Sequence, residues 1–155
     1  MEQDKFNYFC NCFEDALKKT FAQLAEVDLS NCDSQPADST KKLSSVVGVV
    51  GVNKGRIHIA MAEDLVKKLY ESANGESATD EMDLCFYLAE FTNMITGSGI
   101  TVVNNTYRGS DLRLTPPAIF ADEKLDIATP QVQSAQKSYQ TKLGPVMIEI
   151  GFEGE

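Results

Sequence analysis

Apolar positions near the start of the chain recur at helical spacing. They return every three or four residues as far as Leu24, which predicts an amphipathic helix ending near Val27. The apolar positions are Phe6, Phe9, Cys10, Phe13, Leu17, Phe21 and Leu24. Such an aromatic stripe is typical of a helix that packs on a core. The polar stretch Cys32–Thr40 predicts a loop after this helix.

The following segment changes to the spacing of strands. Leu43–Val52 is β-branched and apolar, and Asn53-Lys54-Gly55 has the composition of a turn. Arg56–Met61 then alternates, so the two segments predict a β-hairpin. Its glycines lead into a strand and lack a following Gly-Lys-Ser/Thr, which indicates close packing rather than a phosphate-binding loop.

Two helices are predicted after the hairpin. Glu63–Ala73 is amphipathic, and Asn74-Gly75 ends it because both residues tolerate left-handed backbone angles. The second helix is Thr79–Thr96, with Thr79 as its N-cap and acidic residues in the first turn that complement the helix dipole. Ser98–Asn105 leaves two alternatives open: a strand favoured by its β-branched residues, or a continuation of the helix.

The last third of the chain has the pattern of strands. Two short strands, Asp111–Leu114 and Ala118–Phe120, flank an extended Thr115-Pro116-Pro117. Gln131–Lys142 predicts a polar, exposed strand, and Val146–Phe152 alternates as a half-buried strand should. The order helix, hairpin, helix, helix, strands predicts one α+β domain over residues 1–155, with a mostly antiparallel sheet covered on one face by helices.

Charge excludes two classes of partner. The net charge is −9, so the chain cannot neutralise the phosphates of a nucleic acid, and an anionic membrane surface would repel it. No uninterrupted apolar segment approaches the 18 or so residues of a membrane span. The acidic start Met1-Glu2-Gln3-Asp4 is unlike a signal peptide, and we therefore expect a cytoplasmic protein.

Residues for metal or imidazole chemistry are scarce. His58 is the one histidine, which excludes a histidine-based triad and a multi-histidine metal site. The four cysteines (Cys10, Cys12, Cys32 and Cys85) lack zinc-site spacing and fit a reducing compartment. We expect this chain to bind no metal and no organic cofactor.

The second of the two helices carries the strongest functional candidate. Glu90 and Asn93 are three residues apart and share one helix face, so their side chains can reach out of the domain together. This pair cannot attack a substrate, but it can enter the active site of another protein, where one group grips a cation and the other orients a water. A solvated polar face without function is the alternative. Glu71 and Asn74 repeat the spacing, but Asn74 is expected to end its helix.

The rest of this helix divides into a core stripe and an outer side. Leu84, Leu88, Phe91 and Ile95 form the stripe, with Cys85 and Thr92 at its margin. Asp80, Asp83, Tyr87, Glu90 and Asn93 form the polar side. Phe86 and Met94 lie among them, where we expect a neighbouring element to bury them; the alternative is an apolar rim around a docking surface. In that case Asp83, Phe86, Tyr87 and Met94 would contact the partner.

Three segments in consistent order carry a family resemblance. The hairpin Gly48–Met61, the segment Glu90-Phe91-Thr92-Asn93-Met94-Ile95-Thr96-Gly97 and the later Leu114-Thr115-Pro116-Pro117 resemble the CheX/CheC/FliY chemotaxis phosphatases. The second segment is similar to their E-x-x-N-M-x-x-G motif, and its single copy is closest to CheX. Ser98-Gly99 departs from the Asn-Ala that is usual there, which leaves the helix after the motif open.

The resemblance implies a CheC-like fold and hydrolysis of the aspartyl phosphate on a CheY-like response-regulator receiver domain. Glu90 and Asn93 would be the catalytic positions, and Mg²⁺ would be bound by the partner. A homodimer is also implied, and the long terminal strands favour it because one should leave a free sheet edge. The competing class is a non-enzymatic module that binds receivers or is related to the flagellar switch.

Overall fold

The computed structural model describes residues 1–24, 30–31, 41–121 and 132–153, and the predicted Cys32–Thr40 loop lies outside these ranges. The helices in these ranges are α1 (Gln3–Leu24), α2 (Glu63–Asn74) and α3 (Glu81–Thr106). The strands are β1 (Ser30–Asn31), β2 (Lys42–Val50), β3 (Gly55–Ala62), β4 (Arg113–Leu114), β5 (Ala118–Ala121), β6 (Val132–Thr141) and β7 (Gly144–Glu153).

All seven strands belong to one antiparallel sheet in the order β1-β6-β7-β3-β2-β4, and β5 also pairs with β2. The predicted hairpin is confirmed: β2 and β3 pair over their full length, from Lys42 opposite Ala62 to Val49 opposite Gly55. Helices α1 and α3 pack against each other and lie against the sheet. The predicted α+β class is therefore confirmed.

The core lies between the helices and one face of the sheet. Alternate residues of the central strands point into it, as period-2 patterning requires. Leu43, Val47, Ile57, Ile59, Met61, Val146, Ile148, Ile150 and Phe152 from the strands are buried. Phe9, Phe13, Leu17 and Phe21 from α1 meet Leu84, Leu88, Phe91 and Ile95 from α3 across this layer. The predicted apolar stripes of α1 and α3 are thus core stripes.

The segment Ser98–Asn105 is helical, although its β-branched residues favour a strand. It continues α3 as far as Thr106, because the side chain of Val103 is fully buried and Gly99 lies against the ring of Phe13 on α1. A Cβ atom at Gly99 would stand 2.3 Å from Cδ1 of Phe13. Glycine at this position therefore provides room for an aromatic ring of α1.

The two short strands around the prolines are confirmed. The segment between them is hydrogen bonded to Gly48 of β2. The Thr115 amide donates to the Gly48 carbonyl (2.9 Å), and the Gly48 amide donates to Thr115 Oγ1 (2.8 Å). A Cβ at Gly48 would lie 2.8 Å from that same oxygen, so the close approach requires glycine there. Two of the recognisable sequence segments therefore meet in space, at the edge of β2.

Strand β6 is polar, as predicted, and lies near one edge of the sheet, between β7 and the short strand β1. Its side chains are mostly exposed or half-buried, although Tyr139 is buried beneath α1 residues that include Lys18. Within the described residues its outer side pairs only with β1, at Tyr139 and Gln140. Val132–Ser138 therefore has one neighbouring strand, β7, in the described part of the chain.

His58, Cys10 and Cys12 lie within secondary structure and are at least partly buried. His58 lies on β3 opposite Val46 and Glu149, and burial lowers the pKa of its imidazole. Cys10 and Cys12 are buried on α1, and burial raises the pKa of Cys10 to about 11, which makes its thiol unreactive. No helix in the described ranges is long and apolar enough to cross a membrane.

Candidate functional site

Helix α3 begins one residue later than predicted. Asp80, not Thr79, is the N-cap, and its carboxylate accepts a hydrogen bond from the Asp83 amide (3.0 Å). The Asp83 carboxylate in turn accepts from the amide and hydroxyl of Thr79 (3.1 and 2.7 Å), which lowers the pKa of Asp83. Aspartate and threonine are both good capping residues. Here Thr79 precedes the cap and secures the first turn from outside, so the start of α3 is fixed on both sides.

Two ion pairs connect the start of α3 to α2 and to the sheet. Lys41, just before β2, reaches Glu63 at the start of α2 (3.1 Å) and Glu81 at the start of α3 (3.3 Å). The Lys41 ammonium is exposed, so it contributes little stability. Its effect is geometric, because one side chain links the first turns of both helices to the sheet.

A buried pair of hydroxyl groups holds the middle of α3 to the sheet. Ser45 of β2 points into the helix-facing core, and its hydroxyl is hydrogen bonded to that of Thr92. Both side chains are fully buried. The Ser45 hydroxyl also lies 3.4 Å from the Ile59 carbonyl, and the Thr96 hydroxyl donates to the Thr92 carbonyl (2.7 Å). This polar contact is directional, unlike the surrounding apolar packing, and it lies directly before Asn93 in the chain.

We expect this buried contact to show strong coupling in a double-mutant cycle. Ser45→Ala or Thr92→Val alone leaves one buried hydroxyl without its partner and should cost about 1–3 kcal/mol of unfolding free energy. The double variant removes both hydroxyls and should cost less than the sum of the two single changes. Urea denaturation of the four proteins measures the coupling. Additive losses would show that the two hydroxyls do not interact.

Glu90 and Asn93 lie together on the outer face of α3, as their spacing predicts. Both residues are exposed, and neither side chain has a hydrogen bond or an ion pair within the part of the chain that the structure describes. Burial of Phe91 and Thr92 between them fixes the side of the helix that faces outward. The pair is therefore rigidly positioned through its backbone and free at its functional groups.

The second copy of the spacing differs from this arrangement. Helix α2 ends at Asn74, and Gly75 follows in the left-handed conformation (φ 75°), with its amide bonded to the Glu71 carbonyl (2.8 Å). The Asn74 amide group donates to the Tyr70 carbonyl (2.9 Å). Asn74 is thus a helix-ending residue whose side chain is already engaged, as predicted.

Apolar residues around the pair are exposed, which corrects the expectation that Phe86 and Met94 are covered. Phe86 is 65% exposed and Met94 48%. Met82, which the sequence analysis did not single out, is 59% exposed and lies one turn before Phe86. Outer side chains of α3 have no neighbouring element over them among the described residues. An apolar margin of this kind marks docking surfaces on proteins.

Tyr87 and Asp83 occupy the side of this face that adjoins α2. The Tyr87 ring is half-buried between Tyr70 (centroids 5.9 Å apart) and Phe91 (6.2 Å). Burial raises the pKa of the Tyr87 hydroxyl, and the nearby Glu90 carboxylate raises it further. Tyr87 therefore stays a neutral hydrogen-bonding group beside Glu90. Asp83 is engaged by Thr79 and serves the helix start as well as this face.

The chain segment that forms this face contributes acidic, amide and apolar side chains and no basic one. From Leu69 to Tyr107 the chain has six acidic residues and no lysine or arginine: Glu71, Glu76, Asp80, Glu81, Asp83 and Glu90. In the described ranges no three His, Cys, Asp or Glu side chains are grouped to hold a metal ion. The arrangement can accept hydrogen bonds from a cation through Glu90, and it can both donate to and accept from a water through Asn93.

Sequence reasoning overlooked Ser45 and Met82. Ser45 could have been found, because it is the one polar residue among the helix-facing positions Leu43, Ser45, Val47 and Val49 of an otherwise apolar strand. Met82 could have been found by angle, because at 100° per residue it falls on the side of α3 that holds Phe86, Glu90 and Asn93.

One known protein family matches most of this chain. A family model described as chemotaxis phosphatase CheX matches residues 43–142, a range that includes the hairpin, α3 and Thr115-Pro116-Pro117. None of the curated protein sequences is a significant match to the chain.

Solved structures with the same fold include three informative ones. A CheC-like superfamily protein from Shewanella sp. PV-4 has a TM-score of 0.80 and 24% identity, over 99% of this chain and 100% of that one. The chemotaxis protein CheX from Vibrio vulnificus has a TM-score of 0.78 and 22% identity, over 94% and 96%. The CheX–CheY–BeF3–Mg²⁺ complex from Borrelia burgdorferi contains a chain with a TM-score of 0.76 and 21% identity, over 94% and 98%.

Proposed function

Because this chain belongs to the family of the chemotaxis phosphatase CheX, we propose that it hydrolyses the aspartyl phosphate of a CheY-like receiver domain by inserting Glu90 and Asn93 into the receiver's active site. The observation that carries the proposal is the exposed pair, which has no side-chain partner among the described residues, on a helix whose backbone is fixed at its start and its middle. A preorganised pair loses little conformational freedom when it enters a partner.

The chemistry left to this chain is the placement of a water molecule. An acyl phosphate is an activated bond, and Mg²⁺ in the receiver neutralises charge that develops on the phosphoryl group. Asn93 has one acceptor and two donors, which suit it to hold a water in line with the phosphorus atom. A 100-fold acceleration requires about 2.7 kcal/mol, which positioning alone can supply. No nucleophile from this chain is required.

Glu90 has a different role, in docking. Its carboxylate would form a charge-assisted hydrogen bond with the lysine of the receiver's active site and so fix how deeply α3 enters. The exposed margin of Phe86 and Met94, with Tyr87 and Asp83 on the side towards α2, would contact the receiver around this point. These contacts would provide the affinity for the receiver, and Asn93 would provide the acceleration of hydrolysis.

Phosphate release from a phosphorylated receiver tests the proposal directly. CheY-like receivers from the source organism are phosphorylated with a small phosphodonor, and release is followed with and without the protein. We expect catalytic acceleration for at least one receiver. Binding without acceleration would favour the non-enzymatic module, and neither binding nor acceleration with any receiver would refute both classes.

We extend the proposal to a homodimer, on the basis of the outer side of β6. Val132–Ser138 pairs with only one strand within the described residues, and a second copy could pair with this edge about a twofold axis. We expect light scattering to give twice the chain mass at micromolar concentration. A mass near 17.0 kDa at every concentration would contradict this.

A further inference from the structure

Helix α3 contains two glycines in its interior, and packing among the described residues requires glycine at only one of them. Glycine is among the least favourable residues inside a helix, so each such position needs an explanation. Gly99 is explained by Phe13, whose ring occupies the space that a Cβ would need. Among the described residues no atom lies within 4 Å of the place that a Cβ at Gly97 would take, so packing in this part of the protein does not require glycine there.

Gly97 lies on the functional face of α3. It is four residues after Asn93 and seven after Glu90, a spacing that keeps all three on one side of the helix. Met82 and Phe86 continue the same side toward the start of the helix. At 100° per residue these five positions fall within an arc of about 80°. Large side chains therefore project from this face at Met82 and Phe86, whereas Gly97 leaves the helix backbone uncovered.

We infer that Gly97 is a contact point where the receiver's backbone lies directly against α3. This inference rests on the proposed function. If Asn93 reaches the phosphorylated aspartate, Gly97 is only about 6 Å further along the helix axis and is inside any interface of ordinary size. A side chain at this position would hold the receiver away and withdraw Asn93 from the phosphoryl group.

Charge indicates which surface of a receiver fits this face. Of the six acidic residues between Leu69 and Tyr107, Glu81 is paired with Lys41, and the other five, with no lysine or arginine in that segment, would repel an acidic surface. The face therefore fits a part of the receiver that presents basic side chains next to exposed apolar ones. The active-site lysine that Glu90 would meet is one such group, and Phe86 would enter an apolar recess beside it.

The test compares stability with receiver binding in the same variants. Gly97→Ala and Gly97→Leu both raise helix propensity, and the Cβ that both introduce meets no atom of the described residues within 4 Å, so both should raise the denaturation midpoint. Binding of a beryllofluoride-activated receiver should weaken about tenfold for Gly97→Ala and about 100-fold for Gly97→Leu. Ser72→Leu, at an exposed position of α2, is the control and should bind like the wild type.

The outcomes separate this inference from the proposed function. If the wild type binds and dephosphorylates a receiver but Gly97→Leu does so equally well, only the contact at Gly97 is wrong. If the wild type neither binds nor dephosphorylates any receiver, the proposed function is wrong and the contact with it. A gain in stability together with a graded loss of receiver binding supports the inference. Replacing a glycine that served only the fold would not raise stability while weakening binding.

Discussion

Replacing Asn93 by alanine should reduce receiver dephosphorylation at least about 100-fold while leaving receiver binding near that of the wild type. The carboxamide is the group proposed to hold water, and its loss removes an interaction made in the transition state. Asn93 is exposed and its side chain bonds to nothing in the described structure, so the helix does not depend on it. Alanine also has the higher helix propensity. Single-turnover hydrolysis and receiver affinity, measured on the same sample, give the two quantities.

Glu90→Ala should behave differently from Asn93→Ala. Loss of the carboxylate removes a charge-assisted contact that forms on docking, so affinity and turnover should both fall. Controls come from the engaged copy of the spacing: Glu71→Ala and Asn74→Ala should retain activity, and Asn74→Ala should lose only a little stability with its contact to Tyr70. Full activity in Asn93→Ala, or inactivity in these folded controls, would place the active residues elsewhere.

Gly99→Ala should destabilise the protein by about 2 kcal/mol, although alanine is the better helix former by about 1 kcal/mol. The added Cβ would stand 2.3 Å from Cδ1 of Phe13, far inside the roughly 3.5–4.0 Å of carbon atoms in favourable contact. Phe13 is fully buried and its ring stacks on Phe152 (centroids 6.4 Å apart), so it cannot move away freely. Overpacking therefore outweighs propensity.

Two further variants make the cause identifiable. Gly97→Ala, two residues earlier in the same helix, meets no atom within 4 Å and should be stabilising. Phe13→Leu leaves a cavity on its own, but it makes room for the new methyl group, so the double variant with Gly99→Ala should lose less than the two changes added. Chemical denaturation of the full set supplies the comparison. If Gly97→Ala and Gly99→Ala have equal stability, the contact with Phe13 does not limit this position.

Periodic patterns predicted the elements of this fold because burial imposes them. The 3.6-residue spacing of Phe9, Phe13 and Phe21 and the alternation of Val146–Phe152 are both consequences of one face meeting the core. Sequence reasoning left two alternatives open at Ser98–Asn105, a strand favoured by its β-branched residues and a continuation of the helix. A contact from a distant helix, the ring of Phe13 against Gly99, determines the conformation there, and local propensity is weaker than such packing.

The candidate pair was visible in the sequence, but its surroundings were not. Spacing alone places Glu90 and Asn93 on one face, whereas the exposure of Phe86 and Met94 depends on whether another element crosses α3. The shift of the N-cap from Thr79 to Asp80 has a similar origin, because two adjacent capping residues differ only in which backbone amide each can reach.

The pair proposed to act on the receiver, Glu90 and Asn93, stands on the convex side of a helix, and this shape determines how the proposed reaction could be inhibited. Drug-sized molecules bind in concave pockets that enclose most of their surface. No described residue encloses the outer face of α3, where Phe86 and Met94 are exposed, so a competitive inhibitor would have to occupy the receiver. The natural template is α3 itself. A peptide with the spacing of Phe86, Glu90 and Gly97 would compete for the receiver, provided that a covalent staple holds it helical, since short helices are marginal in water. Changing Asn93 to alanine in this peptide would remove the group proposed to place the water, so the peptide would compete for the receiver without accelerating hydrolysis.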